Sequence, residues 1–253
     1  MRETATMIKI DKGKTIRSIL ADPDISAFRK YRCLTAGNAG FPQFVLVEVV
    51  TSLLGSLPGA LGLITRRVFY RRLFKSCGRG VVIGRNCVFR NPASISIGNN
   101  VVFDDNCVID ARGAEDEGLV FDDGVLINRN VSVQSKGGDI RIGHGVSIGA
   151  DSQLVSWSGL RIGDRTAVAA GCFFSAGSYE LDDFETPLSE RQPISAGPIV
   201  VGKNVWIATR SVILDGVKIN DNAVVSAGAI VKHDVGAKCV VHGDPAKTVF
   251  EGR

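Results

Sequence analysis

The sequence is short of the residues that metal and nucleophile chemistry usually draws on. It has 3 histidines in 253 residues, at 144, 233 and 242. A three-histidine zinc site would use all of them, and their spacing resembles no zinc-ligand pattern. The 6 cysteines, at 33, 77, 87, 107, 172 and 239, contain no C-x-x-C pair. That excludes a zinc-ribbon frame and argues for reduced thiols in a cytosolic setting. Cys87 and Cys107 are expected as small core residues. Charge asymmetry is also missing. Lys and Arg number 30 against 26 Asp and Glu, a net +4. Such an excess helps attract an anionic ligand but is not the footprint of a nucleic-acid binder.

No apolar run is long enough to cross a membrane. The most apolar stretch, 41–64, is broken by Glu48, Pro58, Gly55, Gly59 and Gly62, which makes it a poor span. Residues 1–30 are polar and charged and show no secretory leader pattern. A cytoplasmic location is the expectation. The first 76 residues hold no glycine-rich phosphate loop and are too few for a dinucleotide-type α/β domain, which argues against a sugar nucleotidyltransferase.

What the chain does have is a period of six. Ile83 and Phe89, then Ile97, Phe103 and Ile109, keep this step with one offset between 89 and 97. The sets Phe121-Ile127-Val133, Ile142-Ile148-Leu154 and Ile162-Val168-Phe174 repeat it. Val201, Ile207, Ile213, Ile219, Val225 and Val231 then follow in strict step. The next residue is often small, as at Gly84, Gly98, Gly143, Gly149, Gly163, Ala169, Gly202 and Ala208. Helical spacing would put apolar residues three and four apart, which these segments do not show. A fixed hexapeptide period means a β-solenoid, three sixes to a coil, with the apolar residue inward and the small one easing the corner. The fold class is therefore an all-β solenoid of about seven coils. One interval, from 162 to 201, is too long for a single coil, so a loop near 176–198 must leave the solenoid.

The segments Ile199-Val-Val-Gly-Lys-Asn-Val-Trp-Ile207, Ser226-Ala-Gly-Ala-Ile-Val231 and Gly243-Asp-Pro-Ala-Lys247 carry a closer likeness. Over roughly 77–250 the chain resembles the hexapeptide-repeat acyltransferases, in the branch of maltose, galactoside and capsule-type O-acetyltransferases. The resemblance implies a left-handed parallel β-helix, a homotrimer, and acetyl-CoA as acyl donor. It also implies transfer to a sugar, a glycan precursor or another small hydroxyl acceptor. A catalytically silent binding or scaffold protein on the same fold is the alternative.

The same resemblance places candidate residues. Acyl transfer needs a base for the acceptor, donors for the oxyanion and a slot for the pantetheine arm. The family's base is a histidine on the excursion loop. Here that loop reads Ser175-Ala-Gly-Ser-Tyr-Glu-Leu-Asp-Asp183, and the histidine position falls on Tyr179. Phenols ordinarily titrate near ~10 and make weak bases at neutral pH. Tyr179 as acid or orienting donor with Asp183 or Asp182 as base, loss of the reaction, and His144 as base across a subunit seam all stay open. The donor slot is expected at Ala208, Thr209, Ser226, Ala227 and Gly228, with Lys232 and Lys247 meeting coenzyme phosphates. Asp244, where the family has Asn, adds a negative charge there. Trp206 is expected to pack beside the loop.

Residues 1–76 fall outside the period. Ile25 to Leu34 reads as a short helix. The apolar stretch after it is followed by the basic, aromatic run Arg66 to Lys75. Two readings fit. Repeat proteins need a cap on the first coil, and an apolar element followed by a basic one suits the surface of an anionic membrane, here the inner membrane. The expected organisation is an N-terminal helical cap at 1–76 and a β-helix at 77–250.

Overall fold

A computed structural model describes residues 8–9, 20, 22–37, 39–175, 177–179, 184–188, 190–191 and 193–252. The chain winds through seven coils, and each coil gives one short strand to each of three parallel sheets. The result is a left-handed parallel β-helix, triangular in section. The first face holds Ser76–Cys77, Ile95–Ile97, Leu119–Phe121, Ile140–Ile142, Leu160–Ile162, Ile199–Val201 and Lys218–Ile219. The second runs from Val82–Ile83 to Val224–Val225, and the third from Val88–Arg90 to Ile230–Val231. Register is uniform: Ile140, Arg141 and Ile142 pair with Leu160, Arg161 and Ile162, and those in turn with Ile199, Val200 and Val201.

The six-residue phase is the interior. All twenty positions named for it, from Ile83 to Val231, are 3% exposed or less. In the first three coils this interior is an aromatic stack. Phe74, Phe89, Phe103 and Phe121 follow one another edge to face, with centroids 5.0, 5.5 and 5.1 Å apart. That geometry suits the ring quadrupoles.

The corners explain the polar residues that the period carries. At the corner between the second and third faces, Asn86, Asn106, Asn130, Asp151 and Arg210 take φ of 55 to 63°, a region where a short polar side chain is tolerated. Just inside this corner runs a column of small donors. Cys87 Sγ donates to the Asp104 carbonyl (3.1 Å), Cys107 Sγ to Asn128 (3.2 Å) and Ser152 Oγ to Ala169 (3.1 Å). Lower down, Cys172 Sγ donates to Ala208 (3.2 Å) and Ser211 Oγ to Ser226 (3.1 Å). Each bond satisfies a carbonyl of the next coil that the strand ladder misses. All six cysteines are free thiols. Burial pushes the Cys172 thiol up, away from a reactive thiolate.

Three helices close the first coil: α1 (Ala27–Ala36), α2 (Phe41–Leu54) and α3 (Gly59–Phe69). Ser26 caps α1, accepting from the Arg29 amide. Val47 and Val50 of α2, with Tyr70, Leu73 and Phe74 beyond α3, join the same core as the solenoid interior. At the far end, Lys247–Glu251 pairs antiparallel with Cys239–His242 on the open edge of the second face.

Candidate active site

The excursion loop leaves at the corner between the third and first faces, after Phe174, and returns at Ile199. Its limbs form an antiparallel pair, Ser178 opposite Ile194 and Tyr179 opposite Pro193. Ile8–Lys9 adds a third antiparallel strand, opposite Ser195 and Ile194. Gly177, at φ 148°, lets the limbs meet: a Cβ there would lie 2.6 Å from the Ile194 carbonyl oxygen. The return limb is pinned to the solenoid. Ser195 Oγ lies 2.8 Å from Ser158 Oγ, and the Ala196 amide donates to Asp215 Oδ2 at 2.6 Å. Tyr179 sits half-buried on this sheet. Asp182, Asp183 and Gln192 lie outside the described residues.

His144 is elsewhere. It occupies the turn between the first and second faces, exposed, with its amide donating to Asp164 Oδ1 at 3.1 Å. At the equivalent turn, Arg79 donates to Asn99 Oδ1, Asn99 to Asp123 Oδ1 and Lys203 to Asp221 Oδ1. His144 therefore replaces one Asx in a turn ladder. Lys203, hydrogen-bonded to Asp164, holds that carboxyl below its ordinary range, with the His144 amide and charge adding to the effect. Within one chain, His144 and Tyr179 occupy opposite edges of the first face. The structure does not bring them together.

The donor-slot residues do converge. Ala208 and Thr209 in the sixth coil, and Ser226, Ala227 and Gly228 in the seventh, stack at the corner between the second and third faces. The Gly228 amide donates to the Thr209 carbonyl at 2.9 Å. Thr209, Ala227 and Gly228 are exposed, and a Cβ on Gly228 would meet nothing within 4 Å. The early coils present Asn86, Asn106, Asn130 and Asp151 at this corner and the sixth presents Arg210, so the position is free of a longer side chain only at Gly171 and Gly228. Gly243 continues the column, its carbonyl accepting from Ile230.

Two expectations need revision. Asp244 does not stand as an uncompensated charge: its Oδ1 is 2.9 Å from Lys232 Nζ. The same pair gives Lys232 a carboxylate partner, and Lys247 is exposed on the terminal strand. Trp206 does not stand beside the described residues of this chain's loop. It stands 55% exposed on the outer side of the second face, between Ala167 and Val224, and the loop leaves from the corner opposite that face. Sequence reasoning missed the N-terminal strand and the anchors Ser158, Ser195 and Asp215. Only the burial of Ser195 and Asp215 and the Ser158–Ser195 contact mark them, and no periodicity announces these.

Two hexapeptide families match the chain: "Bacterial transferase hexapeptide (six repeats)" over residues 198–233 and "Hexapeptide repeat of succinyl-transferase" over 139–176. Among curated proteins, the dTDP-4-amino-4,6-dideoxy-D-glucose acyltransferase of Escherichia coli is 30% identical over 178 residues, covering 70% of this chain and 82% of its own. A protein named as a probable acetyltransferase in Mycobacterium tuberculosis is 26% identical over 125 residues, 49% of this chain. This chain spans only 41% of that relative's length. Among solved structures, the polysialic acid O-acetyltransferase OatWY matches in fold. Its TM-score is 0.53 at 19% identity, covering 70% of this chain and 87% of that one.

Proposed function

Since this chain belongs to the hexapeptide-repeat acyltransferases, we propose that it moves an acyl group, acetyl in the simplest case, from acyl-CoA to a hydroxyl of a sugar or glycan precursor. The observation that carries this reading is the small-residue corner at Ala208, Thr209, Ser226, Ala227 and Gly228. Its exposed part, at Thr209, Ala227 and Gly228, is where a pantetheine arm can lie against backbone, with Arg210 beside it and Lys247 on the terminal strand for phosphate. The names of the relatives support a sugar acceptor, one through an amino-sugar nucleotide and one through polysialic acid.

In the reaction, the acceptor oxygen bonds the thioester carbon, the C–S bond breaks, and the hydroxyl proton leaves to a base. In this reading Tyr179 orients the acceptor or donates to the developing oxyanion, and Asp183 is the carboxylate that takes the proton. His144 can serve only if a neighbouring copy brings its first-to-second corner to this loop. A homotrimer fits the surface. Leu126 and Trp206 on the second face, and Phe173 on the third, are exposed apolar residues flanking the donor corner. The third face separates that corner from the loop by roughly 10 Å of strand, so a neighbour's loop can complete the site.

Calorimetric titration with acetyl-CoA is the first test, and saturable binding is expected. Turnover on a panel of sugars and amino sugars should then fall at least tenfold in Tyr179→Phe and in Asp183→Asn. Absence of saturable acyl-CoA binding overturns the reading. The Tyr at the family's histidine position favours a second one, a binding protein without turnover. It would show acyl-CoA binding, no transfer to any acceptor, and no effect of Tyr179→Phe.

A further inference from the structure

We propose that α2 and α3 dock on an anionic lipid surface, with their apolar faces in the interface and the arginines beside them on headgroup phosphates. This inference is independent of the acyl-transfer reading.

α2 buries Phe44 against Phe28 and Tyr31 of α1, and Val47 and Val50 on the solenoid. Phe41, Val45, Val49 and Leu53 recur at four-residue spacing on its opposite side, all exposed, Leu53 to 66%. α3 buries Gly62 and Arg66 and turns Leu61, Ile64 and Val68 outward, Leu61 to 68%. A cap needs only the face each helix buries, and each of these helices also presents an exposed apolar one. An apolar patch of this kind on a soluble chain marks a contact surface.

Charge decides what the contact is. Arg67 lies on the outward side of α3 beside Ile64 and Val68, and Arg71, Arg72 and Lys75 follow it, all exposed. Between 41 and 75 the sequence has one acidic residue, Glu48, and Tyr31 Oη already donates to its carboxylate at 2.9 Å. The patch thus carries cations with little countercharge of its own. A second copy packed symmetrically on this face would set arginine against arginine. An anionic bilayer complements both the apolar stripe and the flanking charge. Among the described residues, no single helix is long and apolar enough to cross a membrane. The 14 residues of α2 span about 21 Å, short of the ~30 Å hydrocarbon core, so the helices lie in the interface plane.

The test is cosedimentation of the full chain with vesicles. One set is phosphatidylcholine alone, and the other is phosphatidylcholine mixed with phosphatidylglycerol. Binding to the mixed vesicles, weakened by added salt, is expected. Val49→Glu with Leu53→Glu, and separately Arg67→Glu with Arg72→Glu, should each lower the bound fraction about tenfold while the circular-dichroism melt is kept. Wild-type protein that ignores phosphatidylglycerol overturns the proposal, as does binding untouched by either double variant. So does a Leu53→Glu protein whose light-scattering mass drops while vesicle binding was never present. That result would assign the face to self-association.

Discussion

Arg66 donates from Nε to the Ile83 carbonyl at 2.9 Å, bonding the last helix of the cap to the first coil. Its Nη1 reaches the carbonyls of Leu54 (3.2 Å) and Leu57 (2.7 Å). The side chain is 3% exposed. Leu54 ends α2, so the guanidinium also sits at the negative end of that helix dipole. Arg66→Met keeps much of the volume but strands three carbonyls. We expect a loss of about 3 kcal/mol, seen in urea titration as a cap transition that precedes solenoid unfolding.

Tyr70 should make the cap alkali-sensitive. Burial pushes its phenol up to about 12, and Oη is buried without a partner among the described residues. A folded-state value above the unfolded ~10 contributes stability that is complete below pH ~10 and is lost as pH rises toward 12. Tyr70→Phe should shift the alkaline midpoint upward. At neutral pH it should change stability by no more than about 1 kcal/mol, since no hydrogen bond is lost. On the acid side, backbone amides of Arg85 and Asn99 hold Asp105 and Asp123 below their ordinary range. What these carboxylates contribute disappears only as pH falls below about 4.

Ala227→Trp tests the donor corner without touching the core. The side chain is exposed. An indole there should raise KM for acyl-CoA at least tenfold, about 1.4 kcal/mol, while Tm stays within a few degrees. Unchanged KM would remove this corner from the site.

Deleting residues 1–12 removes the strand at Ile8–Lys9 and leaves the return limb of the loop with an unpaired edge. The expectation is faster amide exchange at Ile194 and Ser195, and turnover reduced severalfold, with the melt of the coils unchanged. Gly177→Ala should act in the same direction by forcing the limbs apart at Ile194.

The interior was legible because a solenoid repeats one demand. Every sixth side chain must be apolar, and Val201 to Val231 obey it without a slip. The loop was legible for the same reason, as the place where the demand lapses. Its contents were not. The strand at Ile8–Lys9 joins through backbone hydrogen bonds that any sequence can make. Ser195 and Asp215 are ordinary surface types until the fold buries them, and Ser158 until it meets Ser195. Lys232 and Asp244 are twelve positions apart, and nothing local announces that they meet. The cysteines misdirect in the other sense. Cys87, Cys107 and Cys172 are scattered in sequence yet share one corner column with Ser152 and Ser211, because any small donor satisfies that carbonyl.

The terminal strand Lys247–Glu251 also sets how long the object can be. A stack of parallel coils has no natural end, since each exposed edge is a template for the next coil, whether from the same chain or another. The cap covers one end. At the other, an antiparallel strand reverses direction on the second face and presents a polarity that no further coil can continue. That closure of the second face is in this sense written in Lys247–Glu251. A chain cut before Lys247 would be expected to grow end to end into fibres rather than simply to lose stability.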